Sequence, residues 1–177
     1  MIDFLFESER LLFRKFTEED VELIFSLNVD PEVTKYTHDP MVDKEQAEKV
    51  LNEVILPQYS LYGLGRWAVH LKSSREFIGW CGLKFIEELN EVDLGYRFIK
   101  TFWNKGYATE AALVTIKYGL EKLKIECITG RALPQNIASI NVLKKCGMVF
   151  IGMQESRGSL TETFQLTNNN LTDKKTI

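Results

Sequence analysis

Cysteine is scarce in this chain of 177 residues, and the three present, Cys81, Cys127 and Cys146, form no Cys-x-x-Cys pair. Each is set among apolar residues, which reads as buried free thiols in a reducing compartment rather than a disulfide framework. Histidine is scarcer still, with only His38 and His70. Two histidines without clustered cysteines argue against a zinc site, and they leave a catalytic cysteine short of a basic partner. No apolar run approaches the ~20 residues that a membrane span requires. The first residues, Met1 to Glu7, carry acids where a signal peptide wants basic charge, so the expectation is a cytoplasmic protein. Basic excess is missing too. The formal net charge of -3 argues against a general nucleic-acid binder, while leaving room for an acidic pocket that takes a cationic amine. There are no internal repeats and no linker rich in Pro, Gly or Ser. The simplest organisation is one domain over residues 1–167 and a polar tail, 168–177, expected to fray.

What is present is a regular alternation of apolar patterns. Glu9 to Phe16 has strand composition and ends at Thr17, which with Glu18, Glu19 and Asp20 makes a helix start. Val21, Leu23, Ile24 and Leu27 follow at helical spacing, and Pro31 ends that helix. A loop from Val33 to Met41 leads to a second helix, Lys44 to about Glu53, with Pro57 as its end or a kink. Arg66–Leu71 and Phe77–Phe85 read as a hairpin of strands, the second apolar enough to be central. A strand from Val92 to Lys100 follows, then a helix from about Tyr107 to Lys122, a strand over 125–132 and a helix over 136–145 stopped by Gly147. Strands over 148–153 and 160–167 close the pattern. The order β-α-α-β-β-β-α-β-α-β-β predicts an α/β fold: a mixed sheet of about seven strands with helices on both faces.

The chain is organised around Trp103-Asn104-Lys105-Gly106-Tyr107-Ala108-Thr109-Glu110-Ala111. A loop with one glycine and small residues opens a helix directly after a strand. The first N–H groups of a helix lack intrahelical partners and carry the positive end of its dipole. Such a turn either holds a phosphate or pyrophosphate on backbone N–H groups, or is an ordinary turn in which Gly106 only relaxes the backbone. It is not a P-loop, because Lys105 precedes its glycine. Nor is it a dinucleotide fingerprint, which needs three spaced glycines.

These residues, with Gly95-Tyr96 before them, resemble the acetyl-CoA loop of the GNAT superfamily of N-acetyltransferases. More narrowly they resemble the branch containing the ribosomal-protein N-terminal acetyltransferases. Gly106 and Ala108 match the last two fixed positions of the Gln/Arg-x-x-Gly-x-Gly/Ala pattern; Trp103 departs from the first, as is usual in that branch. A second stretch, Asn136-Ile137-Ala138-Ser139 through Cys146-Gly147-Met148, resembles the branch's Asn-x-x-Ser … Gly-Phe element, with Met148 in place of the aromatic. The resemblance covers roughly residues 8–167.

The resemblance implies direct transfer of an acetyl group from acetyl-CoA to an amine within a ternary complex, with no metal. It places the pyrophosphate on Lys105, Gly106, Tyr107, Ala108 and Thr109, and a backbone donor for the thioester oxygen near Phe98 or Ile99. Gly95 reads either as a bulge or close backbone approach that splays the sheet for pantetheine, or as packing relief. Asp93 and Glu91 are candidate bases, or else exposed turn-end charges. Asn136 either bonds the cofactor or caps its helix, and Lys145 is a candidate phosphate contact or a solvated charge. Many superfamily members carry a tyrosine acid where this chain has Leu143, so Ser139 is the candidate donor to the thiolate. Its other fate is a bond to the helix backbone. Tyr36 and His38 are candidate acceptor contacts, or loop residues packed on the core. The acceptor is a peptide N-terminal amine by analogy with the branch, with polyamines, aminoglycosides and small amine metabolites open. A CoA-binding regulatory module without turnover and an unrelated α/β binding domain are the readings from other classes. Whether the protein is a monomer or a homo-oligomer is open.

Overall fold

The strands are, in chain order, β1 (Phe6–Glu7), β2 (Leu11–Arg14), β3 (Gly65–Leu71), β4 (Phe77–Ile86), β5 (Glu91–Phe98), β6 (Cys127–Ala132), β7 (Val149–Ser156) and β8 (Ser159–Thr167). They form one sheet in the order β1-β2-β3-β4-β5-β6-β8-β7. The structure, a computed structural model, describes residues 3–37, 39–156 and 158–167. β4 is central as its composition predicts. It buries residues of both faces, which accounts for its nearly continuous apolar run. All neighbouring pairs are antiparallel except β5 and β6.

The helices are α1 (Val21–Asn28), α2 (Pro31–Thr34), α3 (Lys44–Val50), α4 (Leu56–Tyr62), α5 (Tyr107–Glu121) and α6 (Ile137–Lys145). Alternation along the strands sends side chains to two cores. Trp67, Val69, Ile78, Leu94 and Phe98 pack with Ala111, Ile116, Leu120, Ile140 and Leu143 from α5 and α6. On the opposite face, Ala68 packs with Ile24, Ala47, Leu51 and Ile55 from α1, α3 and the turn that follows. Each fully buried aliphatic side chain is worth roughly 1.5–3 kcal/mol against its exposed state. The two cores account for helices on both faces.

Four details differ from the sequence reading. A two-residue strand, β1, adds an eighth strand to the edge, pairing Phe6 with Phe13. Part of the expected loop over 33–41 begins as the short helix α2, capped by Asp30, whose carboxylate accepts from the Glu32 N–H. Pro57 ends nothing. A π-helical turn, Leu51–Ile55, directly precedes α4, and the helix runs on to Tyr62. The wider turn relieves the clash that a proline ring makes with the carbonyl four residues back. The thiols Cys81 and Cys146 are buried, but Cys127 is only half-buried. Burial pushes both buried thiols up to about 12, which suits inert packing groups rather than nucleophiles. The expected tail, 168–177, lies outside the described residues.

Candidate active site

The site begins where two strands part. β5 and β6 pair only at Val92–Ile128, Asp93–Thr129 and Leu94–Gly130. Beyond Leu94 the strands diverge, while β5 stays paired to β4 through Phe98 without a register shift. The opening is therefore the β5–β6 divergence and not a bulge at Gly95. The Gly95 position fits the other reading, packing relief. A Cβ there would lie 2.6 Å from the Arg66 guanidinium, which rests on that face of the strand.

Backbone groups of an antiparallel strand alternate in direction. The Ile99 N–H donates to the Ile78 carbonyl at 2.9 Å, so the groups of Arg97 and Gly95 also turn toward β4. Those of Tyr96 and Phe98 turn into the gap. Of the two expected thioester-oxygen donors, Phe98 presents its N–H to the opening and Ile99 does not. The Phe98 carbonyl is held by the Trp103 indole N–H at 2.7 Å, which ties the following loop to the strand end.

That loop turns sharply. Asn104 has φ 60° and Gly106, the N-cap of α5, has φ 81°. A side chain at such φ is strained, and a β-branched one most of all. The first intrahelical bond runs from Glu110 N–H to Gly106 O, so the N–H groups of Tyr107, Ala108 and Thr109 remain without intrahelical partners. Beside them is an open hollow of about 550 Å³ lined by Arg10, Gly106, Thr109, Glu110 and Lys145 among others. Unpaired helix N–H groups, a glycine without Cβ and two cations fit the pyrophosphate of CoA.

At the other end of the opening, α6 faces β5. The Asn136 carboxamide oxygen accepts from the Ser139 N–H at 3.1 Å, so Asn136 caps its helix. The Ser139 hydroxyl is not turned onto the helix backbone. It lies 2.8 Å from the Tyr96 hydroxyl, which also reaches the Ser139 carbonyl at 3.0 Å. Burial raises the Tyr96 phenol above its ordinary value, against the opposing effect of the Ser139 hydrogen bond. Leu143 is buried at 1% exposure in the core beneath α6.

On the sheet face away from α5 and α6, a row of ion pairs crosses the strands. The Arg66 guanidinium binds the Asp93 carboxylate at 2.8 Å and also donates to the carbonyls of Gly82 and Asp93. Glu91 is paired with Arg131. Arg97 binds Asn28, Thr37 and Asp39, tying β5 to α1 and to the segment after α2. Both candidate bases are thus held by arginines. A cavity of about 840 Å³ runs over this face into the opening, with Tyr36, Asp93, Arg131 and Ser139 in its wall. Tyr36 lines this cavity; His38 lies outside the described residues.

Sequence reading missed Arg10, Glu110, Tyr96, Arg66 and Arg131. Only Tyr96 and Glu110 lie within the stretches that carried the resemblance. Arg66 and Arg131 meet their partners across neighbouring strands, and Arg10 meets Glu110 on α5, distant in sequence, where no local spacing marks them. Among the described residues there is no group of His, Cys, Asp and Glu able to hold a metal ion, and no helix long and apolar enough to cross a membrane.

Known proteins resemble this chain over most of its length. The profile described as "Acetyltransferase (GNAT) domain" matches residues 10–149. An uncharacterized N-acetyltransferase of Bacillus licheniformis, p20, is 30% identical over 167 residues, covering 90% of this chain and 93% of that protein. A GNAT-family acetyltransferase structure from Bacillus anthracis is 26% identical with a TM-score of 0.74, covering 90% of this chain and 94% of that one. The spermidine N-acetyltransferase of Vibrio cholerae, solved with CoA and spermine, shares the fold. Its TM-score is 0.74 at 16% identity, over 90% of this chain and 96% of that one.

Proposed function

The chain belongs to the acetyltransferase (GNAT) domain family of acetyl-CoA-dependent N-acetyltransferases, and from that premise we propose how its residues serve the transfer. An acceptor amine approaches over the face that carries Asp93 and attacks the thioester directly in the β5–β6 opening. The single observation that carries this reading is the opening itself. It has an outward Phe98 N–H at its wall and, at the end of the same strand and loop, the bare N–H groups of α5.

Bound acetyl-CoA supplies the activated acetyl group and a thiolate leaving group. The chain does the rest. Tyr107, Ala108 and Thr109 hold the pyrophosphate on backbone N–H groups, with Gly106 leaving the approach clear and Lys105, Lys145 and Arg10 adding positive charge. The Phe98 N–H donates to the carbonyl oxygen as negative charge builds there. Asp93 receives the ammonium proton through water, since a carboxylate with Arg66 on one side still has lone pairs to accept with. Ser139, backed by the Tyr96 hydroxyl, donates toward the thiolate. Asn136 contributes by fixing the first turn of α6 and so the place of Ser139. Tyr36 lines the acceptor wall, and His38 belongs to the same segment.

The acceptor is a primary amine on a small molecule or a peptide N-terminus, the latter by likeness to the ribosomal-protein branch. A screen of amines and short peptides with acetyl-CoA, read by thiol release, tests this. Acetylation of at least one amine, with release that depends on the amine, is expected. A second reading, a CoA-binding regulatory module without turnover, is favoured by the arginine pairing of both Glu91 and Asp93. It predicts CoA binding with no amine-dependent thiol release.

A further inference from the structure

We propose that the acceptor carries a carboxylate beside its amine, as an amino acid does, and that Arg131 binds that carboxylate. This rests on the acetyl-transfer reading and narrows its acceptor.

Arg131 stands on β6 one residue past Gly130, the last residue of β6 paired to β5, so it marks the throat of the opening. Its side chain is 8% exposed. A guanidinium has five N–H donors and no acceptor. In Arg131 the Nη2 group serves Glu91 and, at a long 3.4 Å, the Gln154 side-chain oxygen. Nε and Nη1 are buried with no hydrogen-bond partner. The Asp93 carboxylate is 3.8 Å from Nη1, near enough to attract and too far to accept a hydrogen bond. A buried cation with unmade hydrogen bonds is costly, and a ligand that makes them recovers that cost. Glu91 holds the Nη2 end and Gln154, exposed on the edge strand, adds only a weak bond, so Nε and Nη1 are the donors left for a ligand in the cavity that Arg131 lines.

The surrounding charge points the same way. Among the described residues of the cavity wall, Arg66 is paired with Asp93 and Arg97 with Asp39, and Arg131 is paired with Glu91. A polyamine would find the carboxylates of this wall already held by arginines. An amino acid matches the local pattern, because its ammonium and carboxylate are neighbours, as are Asp93 and Arg131. A singly charged carboxylate also sits beside Glu91 and Asp93 with less repulsion than a dianionic phosphate. The carboxylate on Arg131 would hold the amine at Asp93, where the proton must leave before attack.

The test is a matched panel: free amino acids, the same amino acids as carboxamides, and spermidine. Wild-type protein is assayed by thiol release from acetyl-CoA, and separately by melting shift without CoA. Acids should exceed their amides by about 10- to 100-fold in kcat/KM, the range of one hydrogen bond to a charged group. Arg131→Gln should abolish that preference while the Kd for CoA stays within twofold. Amides equal to acids, spermidine as the best acceptor, or a preference that survives Arg131→Gln would each overturn the proposal. Should no amine be acetylated, the acetyl-transfer reading fails, and the melting shift still decides the Arg131 site. Acids must raise the melting temperature of wild type more than amides do, and an equal or absent shift counts against it. If Arg131→Gln does not fold, the acid–amide comparison on wild type decides.

Discussion

Arg10 and Glu110, a hundred residues apart in the chain, are joined twice: the Arg10 Nε reaches Glu110 Oε2 at 2.6 Å, and the Arg10 backbone N–H reaches Oε1 at 2.8 Å. A third bond, from Arg10 Nη1 to the Lys105 carbonyl at 3.1 Å, ties the same side chain to the loop before α5. The Arg10 guanidinium also lies over the Tyr107 ring at 4.5 Å. Burial works to raise the Glu110 carboxyl. Hydrogen bonds from the Ser8 hydroxyl and from Arg10 outweigh it and hold the group below its ordinary value. The residue preceding β2 therefore sets the shape of the turn that the pyrophosphate is proposed to meet.

Arg10→Ala should weaken CoA binding about tenfold, through a lost cation and a looser turn, and more so at low salt. The fold should lose at most about 1 kcal/mol, because the pair is partly exposed. Titration of CoA at two ionic strengths checks this. An unchanged Kd would assign Arg10 to structure alone.

The Ser139–Tyr96 pair bridges the opening, and it suggests a pair of variants. Ser139→Ala and Tyr96→Phe should each lower kcat, toward the lower end of the ~10²–10⁴-fold typical of proton-transfer groups, with the Kd for CoA nearly unchanged. Steady-state kinetics with a good acceptor, together with direct CoA binding, separate the two parameters. If both variants keep kcat within twofold and only melt earlier, the pair serves packing and the thiolate leaves unaided.

Acid should destabilise the protein through His70 before its carboxylates titrate. Burial lowers the His70 imidazole below 6.5, only partly offset by its bond to the Arg75 carbonyl, and the nearby Arg14 acts in the same direction as burial. The Arg14 Nε donates to His70 Nε2 at 3.2 Å, an acceptor that exists only in the neutral ring. Between the folded and unfolded values the unfolded chain binds more protons, so stability is complete above about pH 6.5 and falls as pH drops through that window. The slope is at most about 1.4 kcal/mol per pH unit for one proton. Melting curves from pH 8 to 5 should show the loss in wild type and a flatter profile in His70→Gln. A wild-type profile as flat as the variant's would remove His70 from the account.

Much of this fold was legible because local rules and tertiary packing agree. The apolar run of β4 marks a strand buried on both faces, and Gly106 between a strand and a small-residue helix start marks a turn that needs positive φ. The misses have physical reasons. β1 is two residues long and shows no period. The π turn before Pro57 depends on how the whole helix packs, not on composition. Thr17 is the N-cap that the sequence suggests, and the structure adds the Asp20 carboxylate, which accepts the Thr17 N–H at 2.8 Å while held by Arg14 from β2. Gly95 reads as a bulge or close backbone approach or as packing relief, and the partner that its missing Cβ makes room for, Arg66, comes from a strand two places away, which no local spacing shows. Arg131 looks like an ordinary residue at a strand end until β5 and β6 are seen to part beside it.

The account stands on CoA seated at the N-terminus of α5, and the melting temperature of the wild-type protein with and without CoA tests that most directly. A ligand bound only by the native state at 100 times its Kd adds about 2.7 kcal/mol, a rise of several degrees. Gly106→Val, which places a branched side chain at φ 81° beside the free N–H groups, should fold and lose most of that rise. No shift in wild type at millimolar CoA, or an equal shift in Gly106→Val, would contradict the account.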